Sequence, residues 1–273
     1  MDWKHWLKWR PWKRRVVEAG ATTPAVPSDE HAALRELLFA DEPLESVVRF
    51  VREQEASGGG VSSLWRRLAD VAELVARREH SRAVEELRRL MDDEGHDARS
   101  CFQFWNFLRQ LGEVPSPDVA TRVLGLVVED ARHGALDILA AYWDGTARLM
   151  DAKGGFRIFT KPAPVMVDHM RRDLRVCEPL VAATRPASSP RAAPPVGSRG
   201  RVTVLTPAGL RVRDGEWEEL RADALCGPVL QMADALRERL LRGVAAMGPP
   251  WEHGVLALPG PGGPDGEGGP LVH

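Results

Sequence analysis

The sequence lacks any uninterrupted apolar stretch close to the roughly 18 residues that a bilayer-crossing helix needs. Its best apolar stretches, such as VLGLVV (123–128) and LAAYW (139–143), are strand-sized. It is poor in cysteine, with only Cys101, Cys177 and Cys226, which are far apart and odd in number. That spacing argues against a disulfide framework and fits a reducing compartment. None of the three has the close Cys or His neighbours of a zinc site, so each reads as a small buried apolar residue. Also missing are a phosphate loop, a dinucleotide glycine fingerprint, HExxH, a nucleophile elbow and paired CxxC. Gly58-Gly59-Gly60 is followed by no Lys-Ser/Thr that could hold phosphate and metal, and it reads as a linker. The expectation from these absences is a non-enzymatic protein with no catalytic residue, metal or cofactor. A secretory leader would need a continuous apolar block after its basic start. Here Lys and Arg interrupt the tryptophans and Glu18 follows soon, so the expected location is the cytoplasm.

The composition is otherwise that of a globular protein, with 44% hydrophobic and 28% charged residues over 273 positions. The charge is unevenly spread. Residues 1–15, MDWKHWLKWRPWKRR, hold six Lys/Arg against one Asp, so they carry +5 of a net −2 and the remainder carries −7. A body of that sign suits nucleic acid poorly, because phosphate contacts need positive surface. The same fifteen residues space Trp3, Trp6, Trp9 and Trp12 three apart, and Lys8, Arg10, Lys13, Arg14 and Arg15 lie among or just after them. On a helix that spacing spreads the indoles over a broad side, and Pro11 blocks a regular helix through the end of the run. On a 3₁₀ or polyproline-like path all four line up. So much indole implies a partner surface. A protein partner, an anionic membrane surface and, less suitably, single-stranded nucleic acid all fit this chemistry. No small-molecule ligand is identified.

Residues 1–28 therefore read as a Trp/basic arm and tether, and 29–112 as a helical region. Ser28 is a suitable cap for a helix through HAALRELLF, and a second helix begins near Pro43 and stops before Gly58. Leu64, Leu68, Val71 and Val75 form one helical stripe; Ala83, Val84, Leu87, Leu90 and Met91 form another. A third helix near 97–111 is rich in aromatics and ends at Gly112. The fold class expected is α+β, an N-terminal helical layer followed by an antiparallel β-meander packed against helices. The meander comprises VLGLVVE (123–129), LDILAAY (136–142), TARLM (146–150) and FRIF (156–159), with a two-residue type I′ turn at Asp144-Gly145. A helix over 164–184 should kink or end early at Pro179. A second hairpin, RVTVL and LRVR, returns to the edge of the sheet, and a last helix starts near Pro228. The α+β domain spans 113–247, with a flexible linker at 186–200. Residues 248–273, dominated by Gly and Pro, read as a disordered tail.

The stretch VLGLVVEDARHGALDILAAYWDGTARLMDAKGGFRIF, with VTVLTPAGLRV later, resembles a family of bacterial proteins without an assigned activity. The resemblance covers the second half of the chain and implies no site residue. The strand and helix order is more loosely similar to profilin-like and roadblock-like folds, which would imply sensing or scaffolding.

Several polar clusters are candidate sites. MDDEGHD (91–97) gathers Asp92, Asp93, Glu94, His96 and Asp97, a composition suited to a cation but also to a solvated helix end. Glu129, Asp130, His133 and Asp137 surround a strand connection, where a carboxylate–His pair could exchange protons. Asp168 and His169 are adjacent on a helix and cannot face each other. Arg148 and Arg157, with Lys153 and Lys161 near them, are expected on the uncovered side of the meander as an anion- or partner-binding patch. The main expectation is a cytoplasmic adaptor whose arm docks it to a protein. The alternatives are a peripheral membrane accessory protein, or a sensor or enzyme using the polar residues of the meander.

Overall fold

The computed structural model describes residue 35 and residues 38–58, 60–92, 97–132, 134–152, 155–159, 164–187, 191–246 and 255–258. The four expected stretches of the meander form β1 (Gly125–Asp130), β2 (Asp137–Tyr142), β3 (Ala147–Met150) and β4 (Phe156–Phe159). The later hairpin forms β5 (Arg199–Thr206) and β6 (Gly209–Glu216), and Val255–Leu258 add β7. The strands form one sheet in the order β6-β5-β1-β2-β3-β4-β7, with every pairing antiparallel. The second hairpin thus extends the sheet beyond β1 rather than starting another. β7 pairs with β4 through Phe159↔Val255 and Phe156↔Leu258, so the tail reading is corrected for these four residues. Apolar Val-Leu-Ala-Leu suits a strand despite its Gly/Pro surroundings.

Helices cover both faces of the sheet, whereas the alternation of apolar and basic residues in β3 and β4 predicts one solvated face. β1 is buried along its whole length, which the unbroken apolar run of 123–128 requires. On one face, Leu126, Val128, Leu139, Leu149, Val202 and Val204 pack against the later helices. Those are α6 (Pro164–Leu174), a 3₁₀ turn at Arg175–Cys177, α7 (Glu178–Ala183), α8 (Trp217–Ala222) and α9 (Cys226–Ala246). Pro179 sits in the first turn of α7, where its missing N–H costs no helical hydrogen bond, and the 3₁₀ turn absorbs the break. On the other face, Val127, Ile138, Ala140, Tyr142, Met150, Phe156 and Ile158 pack against Leu38, Phe39, Ala98 and Phe102.

The N-terminal layer comprises α1 (Leu44–Ala56), α2 (Ser63–Ala76), α3 (His80–Asp92) and α4 (Ala98–Gln110), with a short α5 (Pro117–Ala120) leading to the sheet. The predicted stripes point inward: Leu68, Val71, Ala83, Val84, Leu87 and Leu90 are buried together with Phe104 and Phe107. α4 joins the layers because it is apolar on two sides. Ala98 and Phe102 face the sheet, while Phe104, Phe107 and Leu108 face α1–α3. Asp97 caps α4 by accepting from the Ser100 N–H at 2.7 Å, and Gly112 at φ +88° ends it in a conformation glycine adopts freely. Gln103 Nε2 and Asn106 Nδ2 donate to the Glu42 carbonyl at 2.9 and 3.2 Å, tying α4 to the segment before α1.

The hairpin between β2 and β3 differs from the type I′ expectation. Trp143, Asp144 and Gly145 form a three-residue loop, closed by Tyr142 N–H to the Thr146 carbonyl at 2.9 Å, with Gly145 at φ +86°. Asp144 Oδ1 accepts from the Thr146 N–H and hydroxyl, which stabilises the longer loop over the two-residue one. The described part of 186–200 is also more constrained than a linker. Pro186 bridges to Arg211, Ala187 N–H donates to the Leu210 carbonyl, Arg191 grips Asp41 through two hydrogen bonds, and Arg199 and Gly200 belong to β5.

Candidate functional site

Strand register dismantles the expected basic patch. Arg148 pairs with Ile158 and Arg157 with Leu149, so the two arginines leave opposite faces of the sheet. Arg148 is buried at 9% exposure, with its guanidinium 4.9 Å from the Tyr142 ring centroid. It faces the helical layer that the sequence left off this side. Arg157 stays half-exposed, 3.9 Å from Asp151. Lys153 and Lys161 lie outside the described residues.

The proposed carboxylate–His group does not converge either. Glu129 pairs with Ile138, while Asp130 pairs with Asp137, so Glu129 and Asp137 project to opposite faces. Asp137 instead accepts from the Ala152 N–H at 2.8 Å and lies 3.6 Å from Arg237. Asp130 is gripped by Arg132 at 2.9 Å. His133 lies outside the described residues, as do Asp93, Glu94 and His96 of the acidic run. Asp92 ends α3, and Asp97 is occupied in capping α4. Burial pushes the Asp97 carboxyl up, but the Ser100 hydroxyl, Arg99 and Arg148 outweigh it and hold the group below its usual range. Asp168 is exposed on α6, and His169 beside it is half-buried. The arm residues Trp3, Trp6, Lys8, Trp9, Arg10, Trp12, Lys13, Arg14 and Arg15 lie outside the described residues.

Glu129 is fully buried, and its two arginine partners come from separate segments. Arg35 Nε donates to its Oε1 at 2.6 Å, and Arg201 Nη1 lies 3.6 Å from its Oε2. Arg201 also donates to Asp214 at 2.6 and 2.8 Å, and both arginines reach the Ala192 carbonyl. The arrangement ties the segment before α1 and the segment before β5 to the sheet. All its charges are used internally, which suits a structural clamp.

Three aromatic rings each carry two arginines. Phe39 has Arg35 at 5.1 Å and Arg191 at 3.9 Å from its centroid. Trp217 has Arg132 at 4.3 Å and Arg221 at 5.7 Å. Trp143, at the tip of the β2–β3 hairpin, has Arg122 at 5.3 Å and Arg171 at 4.6 Å. Trp143 is held in place by its N–H to the Leu124 carbonyl at 3.1 Å and by packing against the cores on both faces of the sheet. Arg122 follows α5, and Arg171 comes from α6, where its Nε donates to the Trp143 carbonyl at 3.3 Å. Arg122 and Arg171 are both exposed. Sequence reasoning missed this group because residues 21 and 28 positions from Trp143 meet it only in the folded chain. A tryptophan at a hairpin tip, where a turn residue is usual, was the available signal.

A groove between α1 and α2 has Val48, Ala72, Val75, Glu45, Arg49 and Arg52 among its lining. The three thiols lie in packed surroundings. Burial pushes Cys101 and Cys226 up to about 11 and Cys177 up to about 12. No helix among the described residues is long and apolar enough to cross a membrane. Comparison with protein-family models, with curated proteins and with solved structures found no match.

Proposed function

We propose that this protein is a non-enzymatic cytoplasmic adaptor: an α+β body that binds other proteins, with residues 1–15 as a docking arm. The observation that carries this reading is the arm itself, in which four tryptophans at intervals of three are mixed with six Lys/Arg. Indole and guanidinium groups dominate the energetics of protein interfaces, because each brings a large contact area together with a directed polar group. The meander supports the reading indirectly. Its described carboxylates are engaged in internal ion pairs and hydrogen bonds (Glu129 with Arg35, Asp130 with Arg132, Asp137 with the Ala152 N–H) instead of converging on an open cleft.

A second reading, peripheral attachment to an anionic membrane, rests on the same composition, since indoles sit at headgroup depth while cations meet anionic lipid. Co-precipitation of defined partners and co-sedimentation with phosphatidylserine vesicles, run on the full chain and on a chain lacking residues 1–15, test both. Loss of protein partners on deletion supports the adaptor reading. Loss of vesicle binding alone supports the membrane reading, and equal recovery in both assays removes the arm from the account.

A further inference from the structure

We infer that Trp143, Arg122 and Arg171 form a docking surface for an acidic segment of a partner protein. The argument is a comparison within the molecule. At Phe39, Arg35 is neutralised by Glu129 at 2.6 Å and Arg191 by Asp41 at 2.9 Å. At Trp217, Arg132 is paired with Asp130 at 2.9 Å, and Arg221 with Asp234. Two cations gathered on one ring repel each other, and in both places each has its own carboxylate. Among the described residues, Arg122 and Arg171 have no carboxylate within ion-pair distance. Of the acids nearby in the chain, Asp168 is exposed one turn before Arg171 on α6 and is not paired with it, and Asp144 and Asp118 are engaged elsewhere. Asp144 accepts from the Thr146 N–H and the Ala98 N–H, and Asp118 is held low chiefly by the Ser116 hydroxyl, with Arg122 a weaker influence.

Among the described residues, the group is therefore a two-arginine, one-indole cluster with no carboxylate in ion-pair contact. Stacking leaves the guanidinium edges free to donate, and Arg171 spends only its Nε internally, so its two terminal nitrogens can meet a carboxylate in the forked geometry. The indole is anchored by the sheet and half-buried, which gives a partner a rigid apolar contact between the two charges. Carboxylates suit the cluster better than a single phosphate, because cations arriving from two separate elements ask for two anions on one short segment. The surface is built from residues other than those of the arm and stands whether or not the arm docks as proposed.

The test uses the full chain and an octaglutamate peptide carrying fluorescein and a photo-reactive benzophenone, at low salt. Cross-links in the wild-type protein should map to the segments around Arg122, Trp143 and Arg171. R122A/R171A should weaken binding about fivefold or more, as expected for two exposed charge pairs. W143L should weaken it too, whereas R172A, which removes a neighbouring helix cation not stacked on Trp143, should not. Cross-links confined to residues 1–15, or a double variant that binds like the wild type, would overturn the inference. So would a double variant whose only loss is co-sedimentation with phosphatidylserine vesicles, since that would assign the cluster to lipid. Because cross-links are mapped in the intact chain, this surface can fail while the arm reading stands, and the reverse.

Discussion

Arg35 and Glu129 are 94 residues apart in the chain and 2.6 Å apart in the fold, and neither side chain is more than 5% exposed to water. A carboxylate placed that deep is stable only because two arginines face it. Removing one partner of such a group costs more than the pair contributes, because the surviving charges stay buried.

Replacing Glu129 by Ala should therefore lower stability by about 3 kcal/mol, a fall in melting temperature of roughly 6–12 °C for a chain of this size. Urea denaturation and thermal scans would measure it. The double change R35M/E129L, which removes both charges of the shortest pair, should cost less than E129A. The opposite ranking would show that the packing of these side chains matters more than their charge.

Gly200 should not tolerate a side chain. A Cβ there would lie 2.7 Å from Trp217 Cζ3 and 3.1 Å from the Glu129 carbonyl. Neither the packed indole nor the β1 backbone can withdraw, so Gly200→Ala should destabilise by about 2 kcal/mol. Gly112→Ala meets no nearby atom, and its cost, about 1 kcal/mol, should arise only from the left-handed φ. Denaturation midpoints of the two variants would separate the causes.

Asp97 should make stability depend on acid. Its folded carboxyl is held below the ordinary Asp value of 3.8. A depressed folded pKa contributes stability that is present above the unfolded value and lost as pH falls through the folded one. Asp97→Asn should thus be less stable than wild type near pH 7, by about 1 kcal/mol for a weakened cap. The gap should close as pH drops below 3.8, a trend that denaturant titrations at stepped pH would follow. A gap independent of pH would mean that the charge on Asp97 contributes nothing.

The thiols should be unreactive in the native state. With Cys101 and Cys226 pushed up to about 11 and Cys177 up to about 12, the thiolate fraction near pH 8 is small and the sulfurs are shielded. A disulfide reagent should modify Cys101, the only half-buried one, first and slowly, and should reach all three quickly in guanidinium. Rapid native modification of Cys177 would show that the α6–α9 core opens readily.

Much of the fold was legible because it is written in local periodicity. The stripe Leu68–Val71 and the run 123–128 each carry their own signal, and so do the hairpin at Gly145 and the break at Pro179. The candidate sites were not legible. Alternation along β3 and β4 places Arg148 and Arg157 relative to their own neighbours, but which of them shares a face depends on register between strands, and register depends on loop geometry. Burial of Arg148 needed a further fact, that α4 carries apolar residues on two sides and covers a face that looked open.

The chain by itself determined where most helices and strands lie, the Trp/basic character of residues 1–15 and the lack of a bilayer-length apolar run, because these depend on residues that are neighbours in sequence. Tertiary structure alone decided which charges from distant segments meet. It buried Glu129 between Arg35 and Arg201, put Arg148 and Arg157 on opposite faces, and brought Arg122 and Arg171 to Trp143. Charge pairing acts over a few ångströms of space, and separation along the chain says little about that distance until the backbone has folded.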